Sequence, residues 1–96
     1  MIERNDILSL QFIKKTPFTG SFKGMRYRLS FEKEEENTLL CAVLWEGPYA
    51  YEAVDEEQKQ MQEFAFSGEG ISAAIDWLNG QWSEGKERFL RAKENW

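Results

Sequence analysis

The sequence predicts an α+β domain in which an antiparallel sheet of three to four strands is followed by a C-terminal helix. Two segments, 22–31 and 38–45, have the two-residue side-chain period or the apolar content of β-strands. After Ser67, apolar residues instead recur at helical spacing. The chain has 96 residues, of which 42% are hydrophobic, so it can build one core and is predicted to be a single domain over 1–96.

The first element, residues 7–13, has two interpretations. Apolar residues alternate with polar ones, which favours a strand, and this is the interpretation we adopt. Asn5 or Asp6 can instead cap a short helix over residues 7–14, so the first element of the ββββα-like order is a strand or a helix. Pro17 ends either element because it lacks a backbone N–H and restrains the residue before it.

The best-patterned strand is 22–31, which follows a turn predicted at Thr19-Gly20-Ser21. Its apolar side chains at odd positions point to one face. Arg26 and Arg28 point to the other face. The segment is therefore predicted to be a half-buried strand.

The next strand, 38–45, follows a charged hairpin loop over 32–37 and is apolar on both faces. Leu40 and Leu44 lie on the face opposite Cys41. A strand of this kind is central in its sheet or covered on its second side. We expect the helix to cover the odd-numbered apolar face of 22–31, so the face with Leu40 and Leu44 needs another cover.

The C-terminal half is predicted to contain an acidic connection over 49–60, a short strand over 61–66, and a helix capped by Ser67. The apolar stripe of this helix consists of Ile71, Ala74, Ile75 and Leu78.

Two features of the end of the chain stay open. Gly80 either ends the helix or weakens it, and residues 83–95 form a second helix or continue the first. We expect residues 1–5 and 93–96 to fray.

The charge of the chain is uneven, with a formal net value of −5. Residues 1–33 carry seven Lys and Arg against three acidic residues, whereas residues 34–96 carry five against fourteen. This asymmetry is typical of charge compensation across a fold, and the net negative charge argues against nonspecific coating of nucleic acid.

Several functional classes are disfavoured by composition. The chain has no histidine and one cysteine, Cys41, so we predict no disulfide, no metal, no cofactor and no enzymatic activity. Asp55-Glu56-Glu57 lacks the ligand spacing of a calcium loop. The N-terminus lacks the apolar segment of a signal peptide, and the longest apolar run, 39–45, is too short to span a membrane, so we expect a cytoplasmic protein.

One group of residues has the composition of a nucleic-acid surface. Within seventeen positions, from Phe12 to Arg28, aromatic and basic residues interleave. Cations neutralise phosphates, and aromatic rings stack on unpaired bases, so this mixture suits single-stranded nucleic acid. The candidate binding residues are Lys14, Lys15, Lys23, Arg26 and Arg28.

A second group carries more apolar surface than one helix can cover. Its members are Leu40, Leu44, Trp82, Phe89 and Trp96. The leading hypothesis is therefore a non-enzymatic interaction domain that forms a homo-oligomer or binds a protein partner through an apolar sheet face or the C-terminal helix. The alternatives are a single-stranded nucleic-acid-binding regulator and a small-molecule pocket lined by Trp45, Tyr49 and Tyr51.

Two resemblances accompany these patterns. Lys23-Gly-Met-Arg-Tyr-Arg28, Trp45 with Gly47-Pro-Tyr49, and Phe64-Ala-Phe-Ser-Gly-Glu-Gly70 before a Trp-Leu-containing helix resemble small uncharacterised proteins of Gram-positive gut bacteria. The resemblance spans about residues 8–82 and implies no activity. The order of strands and helix also resembles coactivator-type single-stranded-DNA-binding regulators, which implies a twisted sheet that packs on a helix and dimerises through it.

Overall fold

A computed structural model describes residues 2, 7, 10–47 and 50–94, and it contains a four-stranded antiparallel sheet with helices. The predicted α+β class is confirmed, including the C-terminal helix. The elements, in chain order, are α1 Leu10–Lys15, β1 Phe18–Phe22, β2 Met25–Glu34, β3 Asn37–Glu46, β4 Gln60–Ala65, α2 Gly68–Glu84 and α3 Lys86–Glu94. The sheet order is β1-β2-β3-β4, so each strand pairs with its neighbour along the chain.

The first element is the helix α1, so the strand that we favoured for 7–13 was wrong. Ile7 and Ile13 are buried and Leu10 packs against the core, and these residues recur every three positions. That spacing belongs to one face of a helix, whereas a strand would have sent alternate residues inward. Phe12 consequently points outward and is 57% exposed.

The turn predicted at residues 19–21 is instead part of the strand β1. The chain reverses at Lys23 and Gly24, whose φ angles are 42° and 92°. Positive φ at both turn residues suits a two-residue hairpin, because it matches the twist of the flanking strands. Gly20 serves a different purpose, since a Cβ built there would lie 2.6 Å from the hydroxyl of Tyr27 on the paired strand.

The helices pack on one face of the sheet, which we call the inner face. The stripe Ile71, Ala74, Ile75 and Leu78 is buried there against Met25, Tyr27 and Leu29, as predicted. Each buried isoleucine, leucine or methionine in this set stabilises the fold by about 1.5–3 kcal/mol relative to an exposed one.

Leu40 and Leu44 also lie on the inner face, so their predicted place on the opposite face was wrong. The register pairs Tyr27 with Leu44 and Phe31 with Leu40. Directly opposite residues in an antiparallel pair share a face. Both leucines are therefore buried in the same core as the helix stripe.

The helix α2 begins where it was predicted to begin. The Ser67 side chain accepts a hydrogen bond of 3.1 Å from the backbone N–H of Gly70. The helix continues through Gly80 and ends at Gly85, and the separate helix α3 follows. Phe89 of α3 is buried in the main core, so α3 also packs on the inner face side.

The second face of the sheet, the outer face, is covered by the connection between β3 and β4. Cys41, Val43 and Trp45 are buried there together with Val54, and Tyr51 packs against them. We call residues 50–59 the connector; it contains two single turns of 3₁₀ helix, Tyr51–Ala53 and Glu56–Gln58. The expectation that β3 is covered on both faces is thus met within one chain.

Ile2 ties the N-terminal region to α2. Its backbone N–H donates to Asn79 Oδ1 at 2.9 Å, and Asn79 Nδ2 donates to the Ile2 carbonyl at 3.0 Å. Ile2 is also buried. The other residues expected to fray at the termini, 1, 3–5 and 95–96, lie outside the described residues, as do the side chains of residues 93 and 94.

Candidate functional site: the open edge strand and the outer face

Strand β4 forms one edge of the sheet and is open to solvent. Its residues are exposed except for Phe64, which is half-buried. Met61 is 62% exposed, and in the described part of the chain only Phe12 is a comparably open large apolar side chain. Within the described ranges, residues 60–64 make no backbone hydrogen bond outside the ladder with β3. An edge of this kind presents free N–H and C=O groups to another strand.

The outer face carries an aromatic and cationic cluster centred on Tyr51. The Arg28 guanidinium carbon lies 4.2 Å and Lys59 Nζ 3.7 Å from the centroid of the Tyr51 ring. Trp45 meets the same ring edge to face at 5.6 Å. Cation–π contacts stabilise by about 0.5–1 kcal/mol at exposed sites, so the Arg28 contact fastens the connector to β2, and the Trp45 contact joins it to β3.

The five predicted nucleic-acid-binding residues do not lie on one surface. Arg26 and Arg28 point to the outer face of β2. Lys14 Nζ lies over the inner-face ring of Phe31 at 5.8 Å, and Lys23 Nζ lies over Trp82 at 5.9 Å. Lys15 is exposed on α1. The structure therefore brings together the two arginines, and Lys59 joins them as a base that the sequence did not single out.

The predicted apolar interaction residues serve the core instead of a surface. Leu40, Leu44, Trp82 and Phe89 are all buried within the chain. The indole N–H of Trp82 donates to the Lys23 carbonyl at 3.3 Å, which ties α2 to the first hairpin. They are buried because three helices, and not one, pack on the inner face. Trp96 lies outside the described residues.

Cys41 is a buried thiol in the middle of β3. Burial raises the pKa of the thiol above its ordinary value of 9.0, and the nearby Glu32 and Glu63 raise that pKa further. A hydrogen bond with Ser30 and the charge of Arg28 act in the opposite direction and are smaller effects. The neutral thiol is thus favoured, and neutral thiols are poor nucleophiles. Among the described residues, no group of three His, Cys, Asp or Glu side chains is placed to hold a metal ion.

A polar cleft of about 400 Å³ lies where the connector meets α3. Its lining residues are Glu46, Gly47, Val54, Glu57, Gln58, Gln60 and Arg88. Arg88 Nε and Glu46 Oε1 form an ion pair of 2.7 Å there, with both side chains about half exposed. The aromatic pocket that we considered does not form this cleft: Trp45 is buried, Tyr51 packs on it, and Tyr49 lies outside the described residues.

Comparison of the chain with protein-family models, with curated proteins and with solved structures finds no match. None of the described helices has the length and apolar content needed to cross a bilayer.

Sequence reasoning missed Lys59 and Met61 as candidate functional residues, and it considered Tyr51 only as part of an aromatic pocket. The strand at 61–66 was predicted to within one residue of each end of β4. Its place at the edge of the sheet was not, because periodicity shows which residues alternate and does not show which strands are neighbours. The polar character of β4, in which Met61 is surrounded by polar residues, was the available signal for an edge strand.

Proposed function

We propose that this chain is a small non-enzymatic interaction domain that self-associates through the open edge of β4. The observation that carries the proposal is the exposure of Met61 on an edge strand that, among the described residues, has only β3 as a strand neighbour. Strand addition at such an edge supplies main-chain hydrogen bonds, and the side chains on alternate positions supply specificity.

The strength of this association follows from the small size of the strand. Pairing along β4, Gln60–Ala65, buries less surface than the roughly 1,600 Å² of a standard protein interface. Burial of a methionine side chain contributes about 1.5–3 kcal/mol. We therefore expect a weak dimer, which forms at micromolar to millimolar concentration.

Sedimentation velocity between about 10 µM and about 1 mM tests this expectation, because that range brackets the dissociation constants of weak complexes. The average mass of the wild type should rise with concentration toward that of a dimer. Met61→Lys should shift the transition to higher concentration by about tenfold, since it removes apolar burial and places two like charges together.

Phe12→Lys is the matched control, because it changes the other exposed apolar residue by the same substitution at a site far from the edge. It should leave the association unchanged. A wild type that stays monomeric throughout the range, or a Phe12→Lys variant that dissociates while Met61→Lys does not, would contradict the proposal.

A second candidate function is binding of single-stranded nucleic acid on the outer face. The observation that favours it is the alternation of Arg26 and Arg28 on one face of β2, with Tyr51 beside Arg28. Two cations at this spacing suit consecutive phosphates, and guanidinium groups also stack on bases.

Fluorescence anisotropy with a labelled oligo-dT tests this second candidate. Binding should weaken with salt, and Arg26→Ala plus Arg28→Ala should reduce the slope of log K against log salt by about 1.4. Lys14→Ala plus Lys15→Ala removes the same charge from the α1 side and should have a smaller effect. Absence of binding by the wild type at low salt would exclude this function.

A further inference from the structure

The edge strand carries a sequence that is complementary to itself. Residues 59–63 read Lys-Gln-Met-Gln-Glu. If two copies pair antiparallel with Met61 at the centre, each Lys59 faces Glu63 of the other copy and each Gln60 faces Gln62. The two methionines then face each other. Opposite charges placed directly across an antiparallel pair stabilise it, and like charges destabilise it.

Within one chain, the residues that would form these contacts lie on the same face of the strand. Lys59, the residue before β4, has extended backbone angles, φ −100° and ψ 145°, and its N–H donates to the Glu56 carbonyl at 3.1 Å. Met61 pairs with Val43 and Glu63 with Cys41, which places both on the outer face. Alternation places Lys59 on that face too, where its ammonium lies over the Tyr51 ring. The charged residues and the methionine therefore share one side of the strand.

Neighbouring registers lack this complementarity. Centring the pair on Gln62 puts Met61 opposite a charged Glu63 and Gln60 opposite the apolar Phe64. Centring it on Glu63 places two carboxylates directly against each other, which is destabilising. A two-fold axis makes the contact self-complementary and closes it at two copies, so the register centred on Met61 produces a dimer and not a fibre.

We propose that the partner of β4 is the β4 strand of a second copy, paired antiparallel about Met61 and selected by the two Lys59–Glu63 contacts between copies. The inference rests on the proposed self-association and adds the register and the charge pattern that recognises the partner. The paired chains form one continuous eight-stranded sheet, because each contributes four strands.

The register can be tested with charge-reversal variants of Lys59 and Glu63, measured separately and as a mixture. Lys59→Glu alone and Glu63→Lys alone each put like charges across both contacts, so each should weaken dimerisation by about tenfold. A one-to-one mixture of the two variants should form a heterodimer with the wild-type affinity, since every acidic residue then meets a lysine. The double variant, Lys59→Glu plus Glu63→Lys, should dimerise like the wild type for the same reason.

Matched controls separate this effect from net charge and from loss of the Tyr51 contact. Asp76→Lys and Lys33→Glu change charge at exposed positions on α2 and β2, outside the proposed strand pair, and should leave dimerisation unchanged. Circular dichroism and urea unfolding establish that each variant is folded before its mass is measured. Glu63→Lys tests the charge rule without altering Lys59.

The outcomes distinguish the register from self-association itself. Rescue by mixing and by the double variant supports the inference. A wild type that dimerises, with variants that neither weaken nor rescue each other, would overturn the register and leave the proposed self-association standing. A wild type that remains monomeric at about 1 mM would overturn both.

Discussion

Burial decides the chemistry of the lone cysteine. Cys41 sits on the outer face beneath the connector, and its surroundings favour the protonated thiol. The sequence predicted a small buried apolar residue here, and the structure confirms the burial. The prediction succeeded because Cys41 lies inside an apolar run, where any strand position is covered whichever face it occupies.

Unfolding measurements at alkaline pH check the raised pKa of this thiol. The folded state keeps the proton to a higher pH than the unfolded state, so the stabilising contribution is fully present below pH 9.0 and is lost as the pH rises above it. Between about pH 9 and pH 10.5, the unfolding free energy of the wild type should fall more steeply than that of Cys41→Ala. Equal slopes for the two proteins would contradict the assignment.

Residue-level prediction failed where it depended on the pairing between strands. The two-residue period correctly separated Leu44 from Cys41, but it did not show which of them shares a face with Tyr27. The turn at Glu35 and Glu36 sets this, because two turn residues align odd positions of β2 with even positions of β3. A turn one residue longer would have reversed every assignment on β3.

Two glycines of α2 differ in their surroundings. A Cβ built on Gly70 would lie 1.7 Å from the backbone oxygen of Ala65, so this glycine allows the close approach of β4 to the start of the helix. Gly80 has no neighbouring atom within 4 Å of its Cβ direction. The close contact with Ala65 therefore makes Gly70 a requirement of packing, whereas Gly80 has room for a side chain.

Paired alanine substitutions test this difference. Gly70→Ala should destabilise the fold by about 2–3 kcal/mol, because the obstructing atom is backbone and cannot rotate away. Gly80→Ala should stabilise the fold by about 0.5–1 kcal/mol through improved helix propensity. Urea unfolding at neutral pH measures both. Similar free energies for the two variants would show that the Ala65 contact does not constrain Gly70.

Prediction of whole elements was most successful where one local signal dominated. The N-cap of α2 and the apolar stripe behind it were predicted correctly, because capping and helical spacing depend on residues close in sequence. The strand β1 was missed, and the helix α1 was only the alternative to the strand that we favoured. In both, the deciding contacts are long-range: Ile13 packs into the distant core, and Gly20 faces Tyr27 on the next strand.

At the scale of the whole molecule, the sheet is covered on both faces by its own chain. Of the apolar residues that suggested a missing partner, those that the structure describes are buried beneath the helices on the inner face, while the connector covers the outer face. The sequence correctly indicated more apolar residues than one helix can bury. It did not predict that the connector packs on the outer face, because the connector has no periodicity. The candidate contact surface therefore moves from the faces of the sheet to its edge.

The sequential strand order has a consequence for how the molecule folds. Since every strand pairs with its chain neighbour, the sheet can grow one hairpin at a time, with little loss of loop entropy at each step. The contact between Ile2 and Asn79 is different, because it joins residues 77 positions apart. We expect the hydrogen bonds between Ile2 and Asn79 to form last during folding and to break first. Breaking them should cost less free energy than global unfolding.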